Sequence, residues 1–106
     1  MSSLLIRNGT IVTATDHYQA DVYIRNEKVT AIAGTLDEGA DRIIDADGCY
    51  LFPGGIDAHT HMELPFMGTF ASDTFHTGTL AGLYGGKTTI VDFAIQTQDE
   101  SLESAI

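Results

Sequence analysis

The chain has one cysteine, Cys49, among 106 residues, so no disulfide can close within it and no cysteine pair has zinc-finger spacing. Such sparing use fits a reducing compartment. Set in the run Gly48-Cys49-Tyr50-Leu51-Phe52, the thiol reads as a small buried hydrophobe. Cations are scarce as well: 5 Lys and Arg stand against 15 Asp and Glu, for a net charge of −10. Phosphate backbones and anionic lipid repel such a surface, which sets aside nucleic-acid and membrane-surface roles. The acid is spread along the chain, apart from a modest cluster at Asp37, Glu38 and Asp41 that reads as a solvated face. No apolar run approaches the ~20 residues of a membrane span. The opening Met1-Ser2-Ser3-Leu4-Leu5-Ile6 meets charge and turn residues too soon for a signal peptide. A cytoplasmic protein is the expectation. Internal repeats and low-complexity segments are also missing.

What is present suffices for a core, since 43% of the residues are hydrophobic. Two regions differ in pattern, with the boundary near Phe52-Pro53. From Leu4 to Phe52 the sequence predicts short strands at Leu4–Ile6, Thr10–Thr13, Asp21–Arg25, Lys28–Ala33, Arg42–Asp45 and Tyr50–Leu51. Asn8-Gly9, Asn26-Glu27 and Asp47-Gly48 fall between or beside these runs, where tight-turn dihedrals are needed. From Pro53 the pattern turns to alternating β and α. It predicts a strand over Ile56–Ala58, a loop over Met62–Ser72, a helix over Asp73–Tyr84 and a buried strand over Thr88–Phe93, with a second helix beginning at Ser101. Asp73 is placed to cap the first helix and Gly85-Gly86 to stop it. The β-branched run before Phe93 suits a parallel strand covered on both faces.

The most informative stretch is Pro53-Gly54-Gly55-Ile56-Asp57-Ala58-His59-Thr60-His61. Residues two apart on a strand point to one side, so His59 and His61 can aim their imidazoles at one point. That suits a metal, although a zinc ion wants three or four protein ligands and this pair supplies two. Two solvated histidines after a turn would read the same way. Asp57 shares their face but lies deeper, which favours a structural role over ligation. Asp92, at the end of the next strand, is read as a carboxylate bonded to backbone amides rather than as a ligand. His17 and His76 have no partner at ligand spacing. The apolar loop residues Leu64, Phe66 and Met67 either pack inward or line a substrate pocket, and Gly68 gives their loop freedom to move.

The stretch Pro53 to Thr69, PGGIDAHTHMELPFMGT, resembles the first barrel strand and following loop of the cyclic-amide hydrolases, the dihydropyrimidinase and D-hydantoinase group of the amidohydrolase superfamily. Leu5–Val12 (LIRNGTIV), Ala20–Ile24 (ADVYI), Ile44–Cys49 (IDADGC), Asp73–Thr79 (DTFHTGT) and Gly85–Phe93 (GGKTTIVDF) follow in that family's order. Lys87 departs from it, standing where many relatives pass directly from the glycines to threonine. The resemblance implies part of an N-terminal β-sandwich over residues 1–52, completed by strands from the far C-terminus. Residues 53–106 would be the first βα units of a TIM-type barrel. A whole barrel takes roughly 250 residues, so the chain is expected to be the N-terminal piece of a longer enzyme.

By the same resemblance, the complete enzyme opens dihydropyrimidines or 5-substituted hydantoins to N-carbamoyl amino acids, using two zinc ions. His59 and His61 would hold the more buried ion, and Leu64, Phe66 and Met67 would shape the pocket for the ring substituent. The family's carboxylated lysine, two later histidines, aspartate base and oxyanion-holding tyrosine have no counterpart here. No catalytic residue is therefore assigned, and the isolated chain is expected to be inactive. A small cyclic amide and other copies of the same chain, as a homo-tetramer, are the implied partners. Other members of the superfamily, allantoinase or dihydroorotase, would keep the two histidines with a different 64–67 loop. The collapsin response mediator proteins share the fold as interaction proteins, but their relatives have lost metal-binding histidines. A β-rich domain with a decayed site is the remaining alternative.

Overall fold

A computed structural model describes residues 2–106, and at Phe66 the backbone alone. It divides into two compact units, the first ending at Pro53 and the second running over Gly54–Ile106.

The first unit is one five-stranded sheet in which β1 (Ser3–Val12), β2 (His17–Arg25), β3 (Lys28–Ala33) and β4 (Arg42–Asp45) lie in the order β3-β2-β1-β4. β5 (Tyr50–Leu51) pairs in parallel with the far end of β1. Residues 4–13, expected as two strands parted by a turn, instead form most of one long strand with a bulge. Asn8 takes φ 62° and the pairing with β2 shifts between Ile6 and Gly9, which keeps both halves of β1 on the same partner. Asn26 and Glu27 do form a two-residue turn between β2 and β3, with φ of 50° and 64°, the sense that matches strand twist.

Each face of this sheet carries a different part of the core. Ile11, Ala20 and Val22 are buried together, with Ile6, Ile24 and Leu51 packed on them. Over the other face passes the segment 34–41 that links β3 to β4. Its Leu36 is buried and donates its N–H to the Asp21 carboxylate at 3.0 Å, while the Leu36 carbonyl accepts from Arg7 Nη2 at 3.4 Å. The other oxygen of Asp21 accepts the Asn8 N–H at 2.9 Å, so one carboxylate, only 4% exposed, ties bulge to crossover. Those two backbone bonds, helped by the nearby Arg7 charge, outweigh burial and hold Asp21 below the ordinary value of 3.8. Asp45 is lowered in the same way, first by the Asn8 side-chain amide and then by the Asp47 N–H.

Cys49 is exposed, contrary to the expectation from its apolar run. It follows Gly48, at φ 73°, in the turn before β5, where its N–H donates to Ala46 O and its carbonyl accepts from Thr10 N. The turn presents the side chain outward.

The second unit pairs β6 (Gly55–Thr60) in parallel with β9 (Lys87–Asp92). Between them come a small hairpin, β7 (Pro65–Phe66) with β8 (Thr69–Phe70), and helix α1 (Phe75–Tyr84). The 62–72 segment is thus a hairpin rather than an open loop, and Gly68 stands in its turn at φ 81°. The helix cap is Thr74, not Asp73. Thr74 is extended, its hydroxyl accepts the Thr77 N–H, and the Thr77 hydroxyl takes the Thr74 N–H in return, a closed capping box. The expected second helix is a single 3-10 turn, Glu103–Ala105. There the Ser101 hydroxyl accepts the Ser104 N–H, and the Ser104 hydroxyl donates to the Ser101 carbonyl, local bonds that compete with a helical ladder. Nor are β6 and β9 covered on both faces within this chain, since Ile56 is 68% and Val91 47% exposed. Two strands and one helix do not have the surface to bury them.

Candidate metal centre

β6 carries the two histidines to its carboxyl end by way of a bulge. Asp57 pairs with Ile90 and Thr60 with Asp92, so β6 has one residue more than β9 between those points. The Asp57 carboxylate accepts the His59 N–H at 3.3 Å within this irregular stretch, the structural role expected of it. Thr60, between the histidines, points inward, is 8% exposed and donates its hydroxyl to Val91 O at 3.1 Å. Immediately after His61 the Met62 N–H is held by both Asp92 oxygens, at 3.4 and 3.3 Å, and Asp92 also accepts the Phe93 N–H at 2.8 Å. Asp92 is therefore a backbone-bound carboxylate, as expected.

With the main chain fixed on both sides, the exposed rings of His59 and His61 turn toward each other. Their Nε2 atoms stand 3.1 Å apart, and the ring centroids lie 5.0 Å apart, edge to face. At that distance one nitrogen donates to the other, which is donor depending on tautomer. Two imidazole nitrogens bound to one tetrahedral zinc would stand roughly 3.3 Å apart, so the pair fits a shared ion after a shift of a few tenths of an ångström. Among the described residues no third His, Cys, Asp or Glu joins them. Two imidazole donors stand together, where a closed metal site wants three or four.

A third ring completes the cluster. Phe93 lies 4.7 Å from the His59 ring and 5.2 Å from the His61 ring, centroid to centroid, at 46° and 35°. Its place at the carboxyl end of a barrel-type strand singles it out in the sequence together with Asp92, and the parallel register that sets Thr60 opposite Asp92 brings it against the two rings. Beside it a cleft of about 620 Å³ is lined by Met62, Leu64, Phe75, Phe93 and Ile95 among others. Of the three loop residues singled out, Leu64 lines this cleft, and Met67 stands 90% exposed at the hairpin tip. The Phe66 side chain lies outside what the structure describes. His17, at the start of β2, and His76, on α1, are exposed.

No family model matches the chain. The D-hydantoinase of Geobacillus stearothermophilus is 54% identical over 102 residues, covering 96% of this chain. In three dimensions the dihydropyrimidinase of Brevibacillus agri superposes with a TM-score of 0.93 at 56% identity, over 97% of this chain and 22% of that one. The chain is homologous to the D-hydantoinases and dihydropyrimidinases. It spans 22% of the length of the Geobacillus relative. A more distant structure, the N-acyl-D-glutamate deacylase of Bordetella bronchiseptica in complex with zinc and a phosphonate inhibitor, matches 60% of this chain and 14% of its own. The TM-score there is 0.53 and the identity 32%. Agreement with the hydantoinase group thus runs through both units, while the deacylase shares a smaller part.

Proposed function

We propose that the protein carrying this chain is a metal-dependent hydrolase that opens cyclic amides, dihydropyrimidines and 5-substituted hydantoins, to N-carbamoyl amino acids. The observation that carries this reading is the meeting of the His59 and His61 Nε2 atoms, 3.1 Å apart at the end of β6, in a chain homologous to hydantoinases. Zinc, two ions in the complete site, is the metal that imidazole donors and the zinc-bound deacylase favour.

An amide resists water because its carbonyl is a poor electrophile and water a weak nucleophile; the bound metal supplies a water ionised near neutral pH and a polarised carbonyl. His59 and His61 hold the ion through Nε2 lone pairs, which puts both rings in the Nδ1–H tautomer. Asp57, Thr60 and Asp92 keep the intervening backbone in place. Leu64, with Phe66 and Met67, receives the substituent on the ring. The groups that move protons are supplied by residues outside these 106. On this reading β6, α1 and β9 are the opening elements of a (β/α)8 barrel, whose chemistry lies at the carboxyl ends of its strands. The first unit is then part of a β-sandwich. A homo-tetramer completes the assembly, and the exposed free Cys49 suits the cytoplasm.

The test is ring opening by the purified protein carrying this chain, with dihydrouracil and a 5-substituted hydantoin as substrates, before and after chelation. Loss of turnover on chelation and its return with zinc are expected. A zinc-loaded protein that opens neither ring would refute the reading.

A further inference from the structure

We propose that Phe93 is a positioning residue whose ring sets the planes of the His59 and His61 imidazoles so that both Nε2 atoms face one metal ion. The inference rests on the metal reading above and adds a residue to it.

Backbone bonds at Asp57, Thr60 and Met62 place the Cα atoms of the two histidines, but they leave the ring torsions free. The χ2 torsion of histidine is broad, and both rings are exposed. Their mutual hydrogen bond draws the rings together here, but it needs a proton on one Nε2 and is lost once both lone pairs face a metal ion, so another contact must then hold the converging orientation. Phe93 touches both rings, at 4.7 and 5.2 Å, within the range in which tilted aromatic pairs attract. Its own position is coupled to theirs, because the Asp92 carboxylate that accepts the Phe93 N–H also accepts the N–H of the residue after His61. A strand end some thirty residues downstream thus braces the pair from one side.

A mere pocket wall at this position would alter substrate binding and leave metal affinity alone, which makes the roles separable. Zinc affinity of the protein carrying this chain would be measured against a competing chelator, with the cobalt(II) absorption spectrum as a report on ligand geometry. The variants are Phe93→Ala, Phe93→Leu and Phe93→Tyr, each checked for an unchanged circular dichroism spectrum. Phe93→Leu keeps apolar bulk without a flat ring and covers the case in which Phe93→Ala fails to fold. Both ring-less variants should bind zinc about 10-fold more weakly with an altered cobalt spectrum, and Phe93→Tyr should restore both. Unchanged affinity and spectrum in folded Phe93→Leu, even with a raised KM, would overturn the role of Phe93 while leaving the metal reading standing. A wild-type protein that takes up no metal would overturn both.

Discussion

Thr60 Oγ1 donates to the carbonyl of Val91 at 3.1 Å, and this bond fastens the residue between the two histidines to the neighbouring strand. Thr60 is 8% exposed, so water cannot replace the lost partner freely. Thr60→Val keeps the shape and removes the donor. It should lower stability by about 1 kcal/mol, read as a shifted urea midpoint, and loosen metal binding. An unchanged midpoint would show that the bond contributes nothing.

Acid should weaken the protein through Asp21. Its folded pKa lies below the ordinary 3.8 because the Asn8 and Leu36 amides stabilise the carboxylate. The unfolded chain therefore takes up a proton first as pH falls. The stabilisation is fully present above 3.8 and is lost as the pH drops through the lower folded value. Melting followed by circular dichroism should be insensitive to this group from pH 7 down to roughly pH 5 and fall steeply further down. Asp21→Asn should be destabilised at neutral pH and show a shallower acid slope. A parallel pH profile for the two proteins would contradict the assignment.

Two glycines should respond unequally to alanine. A Cβ at Gly54 would meet the branched Thr88 side chain, 2.6 Å from its Cβ, and neither group can step aside. Gly54→Ala is expected to cost about 1–3 kcal/mol. At buried Gly78 the new Cβ would meet the flexible end of Met62, Sδ and Cε, and approach Asp73 Cβ at 3.3 Å, a contact that a shift of a few tenths of an ångström relieves. There the gain in helix propensity, up to about 1 kcal/mol, offsets the shift of Met62. Thermal midpoints of the two variants test the order. Greater damage from Gly78→Ala would contradict it.

Met67 holds φ 49° at the hairpin tip and is 90% exposed. A side chain in this left-handed region costs about 1 kcal/mol, and Asn before Gly68 would suit the turn better. Met67→Asn should therefore stabilise the hairpin while raising KM for hydantoins with an apolar substituent. Faster backbone amide exchange in this hairpin of the variant would count against the first expectation, and an unchanged KM against the second.

The strand alternation that made His59 and His61 legible as a pair is a property of one short segment, and such local rules served well. The Asn26-Glu27 turn and the glycine stop after α1 belong to the same class. Asn8-Gly9 has the composition of a turn, yet β2 runs past it and the Asp21 carboxylate holds it as a bulge, a partner no local rule supplies. Capping passed from Asp73 to Thr74 because Thr77 returns the bond, a choice between adjacent good caps. That Phe93 ends the next strand on the same side as the histidines was legible, but its contact with both rings depends on the register of a parallel strand pair. Exposed Ile56 and Val91 follow from what these residues alone can cover.

The most direct test of the metal centre is the metal content of the purified protein carrying this chain, by elemental mass spectrometry, beside that of a His59→Ala, His61→Ala double variant. The expected result is about two zinc ions per chain in the parent, with at least one lost from a variant that remains folded. Equal metal in both proteins, or none in the parent, would contradict the account.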